Sequence, residues 1–429
     1  MSITALKRLM LFVKSKRLAV FLMIIITIAS TLGMLVFQAD KVFTSWWFLL
    51  ISFVFFINLL TCTWGQGLKA WGVWKKRKAI FPDIQQQHYF PPFKITRDTF
   101  EKDLSQKGFR LINKAGNITI FEKGFLGIWG SVVVHLGLVI VVLGALISTG
   151  FKMTGYMTLM EGEVRHDIVQ DYEVISEAPF FSILGHRGYG IGLKKQHRVL
   201  NKEGKVDYVI SDLTLFGEND KPMMEKPVQA GDPLIYKGIS IYDKNAGFAP
   251  LVTITDSGGR EIYKGFLFME TIPGSSESIY QRNGFSVPGT SFVLNIRFYP
   301  DILIKDNKIS TRKFSLGNPG LEVTVTRDGQ ELIQGVIKTG EKVVFDVNSL
   351  SFDEVRQWMG LEIVYDPGAE ILFAGCWITG LGLILLYLCN YKKLQIKFET
   401  VSTGLQIEVS YYCLRYHEML IEEIRDLMN

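Results

Sequence analysis

Four apolar runs of about 20 residues constrain this chain more than any other feature. They are Leu18–Phe37 (LAVFLMIIITIASTLGMLVF), Ser45–Trp64 (SWWFLLISFVFFINLLTCTW), Phe125–Ser148 (FLGIWGSVVVHLGLVIVVLGALIS) and Ile371–Cys389 (ILFAGCWITGLGLILLYLC). At 1.5 Å per residue, each is long enough to cross roughly 30 Å of hydrocarbon as a helix. The first exceeds an ordinary signal-peptide core, and a second run follows within ten residues. It therefore reads as an uncleaved span. Trp46, Trp47 and Trp64 bracket the second run as an interfacial aromatic belt would. These runs account for a mean hydropathy of +0.20, which a soluble chain with a polar surface rarely reaches. The composition excludes disordered, collagen-like and disulfide-stapled classes.

Charge orients the bundle. Lys7, Arg8, Lys14, Lys16 and Arg17 precede the first run, Lys75, Lys76, Arg77 and Lys78 follow the second, and Lys392, Lys393 and Lys397 follow the fourth. The positive-inside rule then puts both termini and residues 65–124 in the cytoplasm and residues 150–367 outside. The long segment 150–367 holds 24 Lys+Arg against 29 Asp+Glu, leaving 23 and 13 for the rest of the chain. The basic side faces anionic lipid, so no nucleic-acid partner is implied. Cys62, Cys376, Cys389 and Cys413 all fall outside the 150–367 segment. That segment has no disulfide and no CxxC redox pair, which argues against a thiol oxidoreductase.

The expected fold is a membrane protein: four transmembrane α-helices (18–37, 45–64, 125–148, 371–389), a large extracytoplasmic mainly-β domain (150–367) and a small cytoplasmic α+β unit in 65–124. Residues 390–429 form a cytoplasmic tail. Within the small unit, Phe93–Ile95 reads as a short strand. Thr96 or Asp98 caps a helix through Gln106 that Gly108 stops, and Arg110–Asn113 and Ile118–Glu122 flank a turn at Ala115-Gly116-Asn117. In 150–367, β-rich runs recur at Asp207–Ile210, Leu234–Tyr236, Ile239–Tyr242, Leu251–Ile254, Ser291–Phe298, Leu321–Val325 and Lys342–Val347. Turn signals lie at Asn201–Gly204, Asp256–Gly259 and Arg327–Gln330. A sandwich or open barrel is the economical architecture, with one short helix at Asp353–Met359.

His135 is the residue with the most chemistry in it. It is the eleventh residue of the third run, near mid-bilayer, where an ionisable side chain is costly and a functional hypothesis by default. Three readings stay open: a haem or metal ligand, a hydrogen bond to a neighbouring helix, or a proton relay. Gly130, Gly137 and Gly144 recur every seven residues and form one smooth face, about 160° round the helix from His135. That face suits close packing. Asn58 reads as a bond to another helix. His88, His166, His186, His197 and His417 lie outside the spans without metal spacing, and the three in 150–367 read as surface residues. Walker A, Rossmann, GxSxG and CxxCH patterns are absent.

Several ordered pieces resemble the ResB family, also called CcsB, of cytochrome c biogenesis proteins. They are Ser45-Trp46-Trp47-Phe48 with Asn58 and Cys62-Thr63; Glu122-Lys123-Gly124 with Gly130 and His135-Leu136-Gly137-Leu138; Glu161-Gly162-Glu163; Pro233-Leu234-Ile235-Tyr236-Lys237-Gly238 with Ile241-Tyr242; and Asp366-Pro367-Gly368. The resemblance covers the chain to about residue 397. It departs at Asp243, where many relatives carry glutamine, and the tail after Lys397 matches nothing. It implies a subunit of a system II cytochrome c synthase in the cell (inner) membrane. Such a subunit handles haem b transiently at an interface with a CcsA/ResC-like membrane partner, for covalent attachment to apocytochrome c outside. His135 carries over as the candidate haem axial ligand, and so as the metal-binding residue. No catalytic acid, base or nucleophile is evident. The partner's tryptophan-rich haem motif is absent, so the chain is expected not to attach haem alone. The competing readings are a membrane-anchored β-domain receptor or assembly scaffold, and a b-type haem electron-transfer subunit.

Overall fold

The computed structural model of the chain describes residues 15–35, 42–43, 45–79, 87–93, 96–202, 206–217, 220–271, 280–306, 308–401, 404–413 and 417–426. Four of its helices are long and apolar enough to cross a membrane: Arg17–Leu35, Trp46–Lys75, Gly127–Phe151 and Ala369–Leu388. The second outruns its expected end at Trp64 by 11 residues, because Gly65, Gly67 and Gly72 sit in open space and nothing there stops the helix. The protein divides into two compact units, residues 1–150 with 367–429, and residues 151–366.

The first unit carries the four helices and an α/β module. Thr96 accepts a bond from the Thr99 amide and opens the helix Arg97–Gln106. Gly108, at φ +88°, lets the chain turn back. The strands Arg110–Ala115 and Ile118–Lys123 form the expected hairpin. Of the expected strand Phe93–Ile95, only Phe93 falls in the observed strand Gln87–Phe93, and residues 94 and 95 lie outside the described residues. The expectation of a separate tail needs correcting. Lys392–Val401 and Gly404–Cys413 are strands of the same antiparallel sheet, in the order 87–93, 404–413, 392–401, 118–123, 110–115. The helix His417–Arg425 adds Leu420 and Ile424 to a core with Phe100, Leu104, Phe121, Leu394, Ile396, Ile407 and Val409. Glu423 ties that helix down through Lys123 (2.9 Å) and Lys392 (2.6 Å). Alternating apolar residues in 392–413 already have the period of a half-buried strand.

The third and fourth membrane helices meet along two glycine stripes. Gly130, Gly137 and Gly144 face Leu386, Thr379 and Leu372. Gly375 and Gly382, themselves seven residues apart, face Val141 and Val134. A Cβ at any of these five would collide with the opposing helix. The smooth face predicted from the sequence is therefore filled by the chain's own last helix.

The second unit is built on two long strands, Ile239–Thr255 and Asn348–Tyr365, paired in antiparallel along their whole length. They form the middle of a seven-stranded sheet. One half packs on a four-stranded sheet through Met153, Met157, Ile191, Leu193, Leu213, Leu215, Ile241, Leu361 and Ile363. The other half packs on a five-stranded sheet through Phe248, Val252, Leu294, Ile296, Phe298, Val323, Leu350 and Phe352. The result is two sandwich cores sharing one sheet. The expected strands 239–242 and 251–254 are one strand, bent by a bulge between Asp243 and Asn245. The expected turn at Arg327–Gln330 is a two-residue hairpin with Asp328 at φ +50° and Gly329 at φ +80°. The turn at Asn201–Gly204 falls partly outside the described residues.

The helix expected at Asp353–Met359 is strand instead. Glu354, Val355, Gln357 and Trp358 pair with Leu251, Pro250, Phe248 and Gly247, and Trp358 also pairs with Met160. The strand Ile239–Thr255 pairs along this stretch and a second partner joins at Trp358, and Phe352 and Met359 are fully buried. Long-range pairing overrides a local preference for helix.

Candidate functional site in the third membrane helix

His135 is the ninth residue of the 25-residue helix Gly127–Phe151, half-buried by its own unit. Its Nδ1 is 2.7 Å from the Ser131 carbonyl oxygen, four residues back. A carbonyl only accepts, so the proton of the neutral ring sits on Nδ1. The lone pair is then on Nε2, the nitrogen that points away from the helix. A ligating histidine is usually oriented by a bond from its other nitrogen to a carbonyl or carboxylate, and here the helix supplies it. The imidazole thus suits an axial ligand. Among the described residues no three His, Cys, Asp or Glu side chains gather as a metal-binding group.

Beside it runs an apolar groove. Leu60, Trp64, Gly67 and Trp71 of the second helix and Trp129, Val132, Leu136 and Val139 of the third line a cavity of about 400 Å³. At 100° per residue, His135 lies about 60° round from Val132, on the flank of that face. The aromatic-belt reading of Trp64 does not anticipate the groove, which Trp64 and Trp71 line together. Their seven-residue spacing on an unbroken helix was the signal. Asn58 is fully buried and donates to the Ser15 carbonyl at the start of the first helix (3.4 Å), as a helix-to-helix bond should.

The histidines of the second unit divide. His166 and His197 are exposed partners of Asp220 and Asp212 (3.2 Å each). His186 is not a surface residue. Nδ1 donates to Asp167 (2.7 Å) and Nε2 to Glu177 (2.9 Å), so both ring nitrogens carry protons. Burial works against that charge, but the two carboxylates outweigh it and raise the pKa above the usual histidine value. Tyr172 and the Arg187 amide also donate to Asp167, at 2.7 Å each. Asp243, the departure from the family pattern, sits at the bulge. Burial pushes its carboxyl up to about 6, against the pull of Arg198. Arg198 stacks on Phe248 at 4.1 Å and donates to Gln357 and the Gly247 carbonyl.

A family model described as ResB-like family matches residues 34–424. The chain belongs to the ResB-like family. The match extends past Lys397, through the strands Lys392–Val401 and Gly404–Cys413 and into the helix His417–Arg425. Among curated proteins, this ResB-like chain is similar to the cytochrome c biogenesis protein CcsB of Microcystis aeruginosa, 20% identical over 82% of this chain and 74% of that protein. CcsB of Gloeobacter violaceus is 24% identical over 82% and 70%. The cytochrome c biogenesis protein Ccs1 of Rhodomonas salina is 21% identical over 83% and 76%.

Proposed function

We propose that this ResB-like protein is the haem-handling subunit of a system II cytochrome c synthase, with His135 as an axial ligand inside the membrane. The observation that carries this reading is the imidazole itself: the one histidine in the four apolar runs, with Nδ1 committed to Ser131 and Nε2 without a hydrogen bond among the described residues. Bound haem would supply the vinyl groups to which the acceptor's thiols add. The chain's part is to bind, orient and shield. Apolar walls such as the tryptophan-lined groove shelter a flat apolar cargo from water. With one ligand from this chain, the second is assigned to a CcsA/ResC-like membrane partner, and the acceptor is apocytochrome c. The names of the relatives support this role.

In this reading residues 151–366 face outward and the α/β module faces the cytoplasm of a cell (inner) membrane protein. Two facts support the orientation. The basic residues cluster on the module side. Strands from before the third helix and after the fourth share one sheet, which requires an even number of crossings between them.

The test is His135→Ala, co-expressed with the partner and an apocytochrome in a host lacking its own maturation system. The variant should reach the membrane at normal levels and give little haem-stained cytochrome. Added imidazole should restore part of the signal by filling the vacated position. Full maturation by the alanine variant refutes the ligand role. The purified complex also separates the competing readings, since a scaffold would be colourless.

A further inference from the structure

We infer that the turn Phe180–Leu184 of the second unit is a lipid anchor, seated in the headgroup layer of the bilayer that the helices cross. The argument starts from the end of the seven-stranded sheet. Tyr236, Ile239, Tyr365, Met153 and Glu177 form one register row across five strands. Two residues before Met153 the chain is still in the third membrane helix, which ends at Phe151. Four residues after Tyr365 it enters the fourth, at Ala369. An extended link of two residues spans at most roughly 7 Å. Met153 and Tyr365 are therefore tethered close to the bilayer surface, and Glu177 is one strand, about 4.8 Å, from Met153.

The turn lies on the membrane side of that row. The strand Val174–Glu177 runs toward it, and the chain continues past: the Ala178 amide donates to the Lys152 carbonyl (2.8 Å), and the Phe180 ring lies 5.8 Å from that of Phe151. The headgroup layer is roughly 5–7 Å deep on each face, so a turn hanging from this row reaches it.

Its side chains suit that place. Phe181 turns into the core, but Phe180, Ile183 and Leu184 are 50%, 74% and 45% exposed. Three large apolar residues within five positions on a short turn are what an interface embeds. Cations flank them, as at other interfacial anchors. Arg187 is exposed, donates to the Lys237 carbonyl and lies 5.2 Å over the Tyr365 ring. Lys237 is exposed beside Tyr236. His186, gripped by Asp167 and Glu177, fixes the far end of the loop, so the apolar tip is presented by a rigid stem. A bilayer is the committed occupant because two membrane helices join the sheet at this end. It goes beyond the haem reading and does not depend on it.

The experiment places a benzophenone amino acid at Ile183 in the full chain, reconstituted in phospholipid nanodiscs and irradiated. Trp377, 81% exposed on the fourth helix, is the lipid-contact control. Val347, 63% exposed at the opposite end of the strand Asn348–Tyr365, is the water-facing control. All three positions are exposed, so the substitution leaves the packing intact. Mass spectrometry should find lipid adducts at positions 183 and 377 at least about tenfold above those at 347, as embedding predicts. A yield at 183 equal to that at 347, with 377 labelled, overturns the anchor. So does an adduct at 183 in whole cells that is a single protein rather than lipid.

Discussion

A carbonyl four residues back determines which nitrogen of His135 is available. The residue itself was legible in the sequence, since one ionisable group in 24 apolar positions is conspicuous. Its hydrogen bond was not, because nothing in composition predicts a ring rotamer. His186 was misread for a related reason. Its partners Asp167 and Glu177 are 19 and 9 residues away, and only the fold brings them together. Asp243 offers a pH test. Its folded carboxyl titrates near 6, above the ordinary value of 3.8. Between those values the folded state holds more protons than the unfolded one, so stability falls as pH rises from about 4 to 6 and stays level above. Asp243→Asn removes that loss. We expect the variant to gain about 1–2 kcal/mol over the parent at pH 7.5 and nothing at pH 4, after allowing for partial solvent screening. Denaturation of the detergent-solubilised protein at both pH values checks this. A gain at low pH alone would reverse the assignment.

Among the elements, the glycine stripes carry the sharpest expectation. Gly137→Leu places a branched side chain against the backbone of Thr379, and Gly375→Leu does the same against Val141. Overpacking of this kind typically costs 1–3 kcal/mol or more, roughly the margin of a small helix pair. Gly67→Ala, with nothing within 4 Å, should be neutral or gain up to about 1 kcal/mol from helix propensity. Thermal unfolding of the three variants in one detergent tests the ranking. Equal losses would mean the stripes do not set the contact. The spans and the 130–137–144 face were readable because period and length are local properties. The strand at 353–359 and the sheet role of 392–413 were not, since both depend on partners more than 100 residues distant.

At the scale of the whole molecule, shared sheet membership supports the topology independently of charge. Reporter fusions at Gly258 and at Asn429 should be active only as external and cytoplasmic fusions, respectively. A cytoplasmic signal at Gly258 would break the four-span arrangement. In the same reading, expression without the partner should yield no holocytochrome, and co-expression should yield it. The closure of the α/β module by the last strands also has a temporal side. The strand Ile118–Lys123, with Ile120 and Phe121 fully buried in the finished protein, leaves the ribosome some 270 residues before its neighbour Lys392–Val401. At about 5–20 residues per second, that edge waits tens of seconds. An unpaired strand with apolar side chains is an aggregation template, so the half-made module must be shielded at the membrane surface until two further helices have inserted. Chains stopped short of residue 392 should then be cleaved by protease within 87–123, while finished chains resist, which makes the carboxyl end the step that commits the newborn protein to survival.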